Sequence, residues 1–314
     1  MSRQTDVQSE TPDIRIPLTA VGVTNMTKEV VFNGGSRNYN VLADISVFTD
    51  VPGTQRGMHM SRTGEAVMDI IENAFSASTK TFERLCSEIS SRVLEVSDGS
   101  TYAYTKLRGT LVVRKKSKVN GRITSDPVHV FASSRVTKGG SPRNTIGVSV
   151  VGMTVCPCAK QMVIDYSREL LKNEAEKLKI SEDVIERILY MVPVASHVQR
   201  GVGRIMVHGV EPGIVDVYDL VDLIEEAMSA PTQDILKRVD EASLIRMGFE
   251  KPRFVEDAVR NMAKTFWFRY STRLPPDTQI IFSQRNFESI HKHDAFAKLA
   301  LRMDELGRFF EGYR

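Results

Sequence analysis

The sequence predicts an α+β fold: two modules in one chain, each with the element order ββααββ, antiparallel strands and paired helices. Three observations predict it. Apolar residues recur every second position in several stretches, the period of a half-buried strand. Between them lie stretches with the 3.6-residue period of amphipathic helices. The order of these signals repeats after a central Gly/Ser/Pro cluster, although the two halves share no close sequence identity.

Residues 1–18 open with "MSRQTDVQSETPDIRIPL". This stretch is polar and proline-containing, and it predicts a flexible arm. The first module covers 19–140. In "EVVFNGGSRNYNVLADISVFTDV" a Gly-Gly turn separates two strands. Val41, Ala43, Ile45, Val47 and Thr49 alternate there with Leu42, Asp44, Ser46 and Phe48. Val67, Ile70, Ile71 and Ala74, then Phe82, Leu85, Ile89 and Val93, are spaced for one or two amphipathic helices. "STYAYTKLRGTLVVRKKSKV" and "DPVHVFASSRVTK" alternate again as two strands. "TKGGSPRN", Thr137 to Asn144, has the composition of a linker.

The second module covers 141–314. "RNTIGVSVVGMTV" and "GVGRIMVHGV" read as strands, and "DVYDLVDLIEEAMSA" and "VEDAVRNMAKTFWF" as helices. "RYSTRL" and "TQIIFSQR" read as a closing strand pair around Pro275 and Pro276. A charged helical insertion, 165–190, separates the first two strands. A second inserted segment, "PTQDILKRVDEASLIRMGFEKPR", separates the helices. "ESIHKHDAFAKLALRMDELGRFFEG" reads as a C-terminal amphipathic helix.

Composition bounds the function. The 314 residues are 41% hydrophobic and 26% charged, as in an ordinary globular protein. A net charge of +3 fits an anionic small molecule and does not argue for nucleic acid. Three cysteines cannot form a disulfide framework, which points to a reducing compartment. No signal peptide or apolar membrane-spanning stretch is present, so a cytoplasmic protein without a membrane partner is expected. There is no phosphate-binding P-loop and no Rossmann glycine fingerprint.

"VGMTVCPCAKQ" raises the chemical question. Cys156 and Cys158 stand two apart at a strand end, where alternate residues point the same way, and Pro157 removes an amide donor between them. This is not the spacing of a zinc ribbon or a dithiol redox site. Two small buried residues in a turn are one reading. A thiolate metal ligand with a neighbouring proton donor is the other.

His197, in the polar turn "ASHVQRG" beside Gln199 and Arg200, is a better ligand candidate than His129 or His208 within strands. His291 and His293 stand in "ESIHKHDAFA". Glu241 and Glu256 are the acidic candidates, though surface charge or a helix-start preference explains each equally well. "RGMHMSR" places His59 and Arg62 at a helix start, which suits phosphate. Its alternative is an N-cap, Ser61 or Thr63, flanked by solvated arginines.

Six motifs, "GMHMSR", "CPCAKQM", "SHVQRG", "LKRVDE", "PRFVEDAVR" and "FESIHKHDAFA", follow one another here. Their order resembles that of the type IB GTP cyclohydrolases and their archaeal relatives of methanopterin biosynthesis, from about Val21 to Ala297. The resemblance implies a tandem tunnelling fold (T-fold) and homotetramers with active sites shared between subunits. It implies Fe(II), one per subunit, with Zn(II) or Mn(II) as alternatives, and GTP as substrate. By motif, the metal ligands fall on Cys156, His197 and Glu241, and the purine anchor on Glu256. His291 and His293 fall near the ribose and the proton transfers, with Cys158 as a further proton donor. His59, Arg62, Gln199 and Arg200 fall to substrate binding. Bacterial members place the histidine sooner after the cysteine, where Arg168 stands here. The insertion favours the archaeal subgroup, whose product is a cyclic phosphate; the alternatives are the linear triphosphate or purine binding without catalysis.

Overall fold

A computed structural model describes residues 6–34, 37–76, 81–117, 120–310 and 312. The first half runs β1 (Leu18–Gly34), β2 (Arg37–Val51), α1 (Met60–Ser76), α2 (Phe82–Val96), β3 (Tyr102–Lys116) and β4 (Ile123–Thr137). The second runs β5 (Arg143–Val155), α3 (Pro157–Leu178), α4 (Glu182–Met191), β6 (Val198–His208), α5 (Val217–Ala227) and the two-residue β7 (Ala230–Pro231). It continues through α6 (Arg238–Glu250), α7 (Val255–Tyr270), β8 (Gln279–Asn286), β9 (Ala295–Arg302) and the short α8 (Met303–Gly307). Each half therefore carries ββααββ, the second with α3–α4 and α6 inserted. This is a tandem T-fold.

All strands join one antiparallel sheet in the order β1-β2-β3-β4-β5-β6-β8-β9, with β7 paired to β5. Strand alternation sends one set of side chains to the helix-covered face. Val41, Ala43, Ile45 and Val47 of β2 are all fully buried. They meet Val67 and Ile71 of α1 and Phe82, Leu85, Ile89 and Val93 of α2 in one hydrophobic core. Thr81 caps α2, its hydroxyl accepting from the Arg84 amide at 3.3 Å. In the second half Phe266 and Tyr270 of α7 pack against each other and Phe266 against Phe282 of β8, with ring centres 4.8 and 5.5 Å apart. Burying side chains of this size contributes roughly 1.5–3 kcal/mol each.

Five expectations change. "TKGGSPRN" is a tight hairpin, not a linker: β4 and β5 pair directly across it, and Gly139 takes the positive φ of +73° that its turn requires. The insertion begins at Pro157 and forms two helices. "RYSTRL" ends α7 and turns, so β8 pairs with β9 instead. The C-terminal segment is a strand followed by one short helix. Its Ala, Leu and Lys favour a helix, but Ala297, Leu299 and Leu301 pack on the core at a period of two. Finally, described residues of the arm are tethered: the Gly57 amide donates to the Gln8 carbonyl (3.1 Å) and Arg56 pairs with Glu10 (3.3 Å). The tip of the predicted Gly-Gly turn, at 35–36, lies outside the described residues. Among the described residues no helix is long and apolar enough to cross a membrane.

Candidate active site

β5 ends at Val155, and Cys156 is the N-cap of α3, its sulfur accepting from the Ala159 amide at 3.5 Å. Pro157 occupies the first helical turn, where its missing N–H has no intrahelical partner to lose. Cys158 therefore lies on a helix, and the strand-based expectation that both thiols share a direction fails. Cys156 is half-buried and Cys158 exposed. The Cys156 amide donates to the His197 carbonyl at 3.2 Å, tying the end of β5 to the start of β6.

A cavity of about 240 Å³ opens here. Its lining brings together Cys156, His197, Gln199, Glu256, His291 and His293, six residues the motifs singled out. The other candidates stand outside this lining. Cys158 and Arg200 are exposed, Arg200 because it follows the inward Gln199 on a strand. Glu241 is exposed on α6. Arg62 is exposed near the start of α1, and His59 lies beside Asp6 (3.5 Å) and Ser9 (3.4 Å) of the arm.

Three further polar or charged residues line the cavity, Arg253, Asn286 and Glu288, beside Phe254, Val255 and Ala295. Glu288 belongs to "FESIHKHDAFA" and Arg253 to "PRFVEDAVR", so the motifs already contained both, while Asn286 lies in none of them. Glu288 organises the histidine. Gln199 Nε2 donates to Glu288 Oε1 at 3.3 Å, which turns the amide oxygen toward His197. His197 Nδ1 then carries the proton and donates to Gln199 Oε1 at 2.9 Å. Its Nε2 is left with the lone pair. Glu288 Oε2 stands 3.8 Å from His197 Nδ1 and reinforces this orientation. His291 packs edge-on to His197, ring centres 6.3 Å apart, and His293 stacks on His291 at 5.0 Å.

Glu256 is the second residue of α7, but it does not cap the helix. Asp257 does, accepting the Phe254 amide at 3.1 Å. The Glu256 carboxylate is exposed and has no ion pair or hydrogen bond among the described residues. A similar division holds on α6, where Asp240 accepts the Lys237 amide at 3.2 Å beside Glu241.

Gly201 allows the floor to close. A Cβ there would lie 2.5 Å from both Asn286 Oδ1 and Gln284 Nε2. These two side chains are themselves joined, Gln284 Nε2 donating to Asn286 Oδ1 at 2.9 Å.

A thiol and an imidazole lone pair on one cavity wall suit a borderline divalent ion. Among the described residues, however, no three His, Cys, Asp or Glu side chains form a group arranged to hold one.

The tandem fold and this constellation define a T-fold enzyme-type chain, and comparison places it: residues 5–297 match the family model described as type I GTP cyclohydrolase folE2, and the chain belongs to that family. It is similar to the GTP cyclohydrolase MptA of Methanospirillum hungatei, 35% identical over 311 residues covering 98% of this chain and 93% of that one. The GTP cyclohydrolase MptA of Methanosphaera stadtmanae is 37% identical, with 93% of each chain covered. That of Methanocaldococcus jannaschii is 34% identical, with both chains covered completely (100%). Among solved structures, uricase from Arthrobacter globiformis is similar with a TM-score of 0.47 and 9% identity, over 91% of this chain and 93% of that one.

Proposed function

We propose that this chain is a GTP cyclohydrolase. It would open the guanine imidazole ring, release formate and form a 7,8-dihydroneopterin phosphate, the 2′,3′-cyclic phosphate, for pterin and methanopterin biosynthesis. Family membership supports the reaction class. The observation that carries the assignment to this site is an unengaged carboxylate, Glu256, on the same cavity as Cys156 and His197.

Each residue has a role that its surroundings suit. Glu256 accepts from guanine N1–H and the exocyclic amine, a bidentate contact adenine cannot make. Glu288 and Gln199 hold His197 with Nε2 facing its reaction partner. His291 and His293, stacked at the rim, move protons as the ring opens. Cys158, exposed beyond the lining, is the weaker donor candidate.

Cys156 and His197 are proposed to hold Fe(II), one per subunit, with Zn(II) or Mn(II) as alternatives. Glu241 is proposed as the third ligand, although it lies outside this cavity's lining in the single chain. When bound, the ion supplies the Lewis acidity that brings the pKa of water toward neutrality for attack at guanine C8. The chains are further proposed to form homotetramers with shared sites, in which His59, Arg62 and Arg200 serve a neighbour's cavity. Light scattering tests the assembly.

Anaerobic incubation with GTP and Fe(II), followed by mass spectrometry, tests the reaction. Formate and a cyclic phosphate are expected. A linear triphosphate would correct the product, and unconverted GTP would reject catalysis.

A further inference from the structure

The sheet face opposite the helices is uncovered, and its side chains align in rows set by strand register. One row runs Asp44, Arg108, Phe131 and Gly147 across β2 to β5. The next runs Thr110, His129, Ser149 and Arg204 across β3 to β6. A hollow of about 470 Å³ opens on this face, with Arg108, Thr110, His129 and Phe131 in its wall.

One guanidinium covers the Phe131 ring at the edge of this hollow, and a second arginine stands in the neighbouring strand. Arg108 is the register partner of Phe131, and the Arg204 guanidinium carbon lies 4.5 Å from the Phe131 centroid. Arg204 Nε donates to Ser149 Oγ at 2.9 Å, which fixes the fork in place. Neither arginine has an ion pair among the described residues. Asp44, opposite Arg108, instead accepts the Thr27 hydroxyl at 2.6 Å. Burial, and then the charge of Arg108, lower the pKa of Arg204. An arginine fork suits a tetrahedral oxyanion, and Thr110 Oγ1 and His129 Nδ1, 3.4 Å apart, share one hydrogen bond, which leaves the pair one proton to offer it.

We propose that Arg108, Arg204, His129 and Thr110 form a second ligand site, for a phosphate-class anion, on the uncovered face of the sheet. It is separate from the cavity at Cys156 and does not depend on the reaction proposed there. The ligand is either free phosphate or the phosphoryl groups of a nucleotide.

Calorimetric titration of the full-length protein with inorganic phosphate at constant ionic strength tests this. Saturable binding is expected, weakened roughly 10-fold or more in Arg108→Gln and in Arg204→Gln. Asp44→Asn, which removes a negative charge from the rim, should tighten it. Glu256→Gln should leave it unchanged. In that Glu256→Gln background GTP is then added: displacement of phosphate identifies a nucleotide's phosphoryl groups as ligand, and no displacement identifies free phosphate. Unfolding midpoints without phosphate check that the variants fold. Arg204→Lys, which keeps the charge and loses the fork, replaces any that do not and should bind more weakly than wild type. Absence of saturable binding in wild type, or equal affinity in the arginine variants, overturns the site.

Discussion

Replacing Glu256 by Gln separates an anchor from a surface charge. The swap exchanges one acceptor oxygen for a donor that faces the guanine N–H groups. Losing a charge-assisted bidentate contact and leaving a guanine donor unpaired costs roughly 2–4 kcal/mol. That is about a 30- to 1,000-fold loss of GTP affinity. Stability should change little, because Asp257 rather than Glu256 accepts the Phe254 amide. What remains for an exposed acid in a first helical turn is about 0.3–1 kcal/mol. Asp257→Ala is the control within the same helix: it should lower stability by about 1 kcal/mol and leave GTP affinity nearly intact. The assay is GTP titration alongside metal analysis and thermal unfolding of the same preparations. Unchanged GTP affinity in Glu256→Gln would refute the anchor role and return the carboxylate to solvent.

Cys156→Ala should lower metal content and turnover together, and a variant retaining both would remove this thiol from the site. Glu83 is buried, and desolvation raises its carboxyl pKa despite the Gly213 amide donating to it at 2.8 Å. The native state thus holds a proton that the unfolded chain has released, so stability falls as pH rises from the ordinary carboxylate range through the raised native pKa. Glu83→Gln should match wild type below this window and exceed it above, and parallel profiles from pH 4 to 8 (roughly the range such shifts span) would refute the linkage. Burial also pushes the Cys86 thiol pKa up, so alkylation of the folded protein should label exposed Cys158 first and Cys86 last; early labelling at Cys86 would contradict its burial.

Local patterning made much of the architecture legible. The alternation of Val41, Ala43, Ile45 and Val47 and the helical spacing of Leu85, Ile89 and Val93 report which face meets the core, and both sets are fully buried. The repeated ββααββ order follows from such signals, because burial of one face imposes a period on each element. The same argument fails at Ala295–Arg302. Intrinsic preference there favours a helix by tenths of a kcal/mol per residue, and pairing with β8 outweighs it.

The site divides in the same way. Ordered motifs identified Cys156, His197, Gln199, Glu256, His291 and His293, and the family was legible from them. Which residues share a cavity was decided by the tertiary structure. Glu241 and Glu256 look alike as exposed acids in the first turn of a helix, yet only Glu256 lines the cavity. Glu288 and the tautomer of His197 depend on a hydrogen-bond chain between β6 and the segment after β8. Residue type sets what a side chain can donate or accept; only the packing of distant segments sets what stands within reach of it.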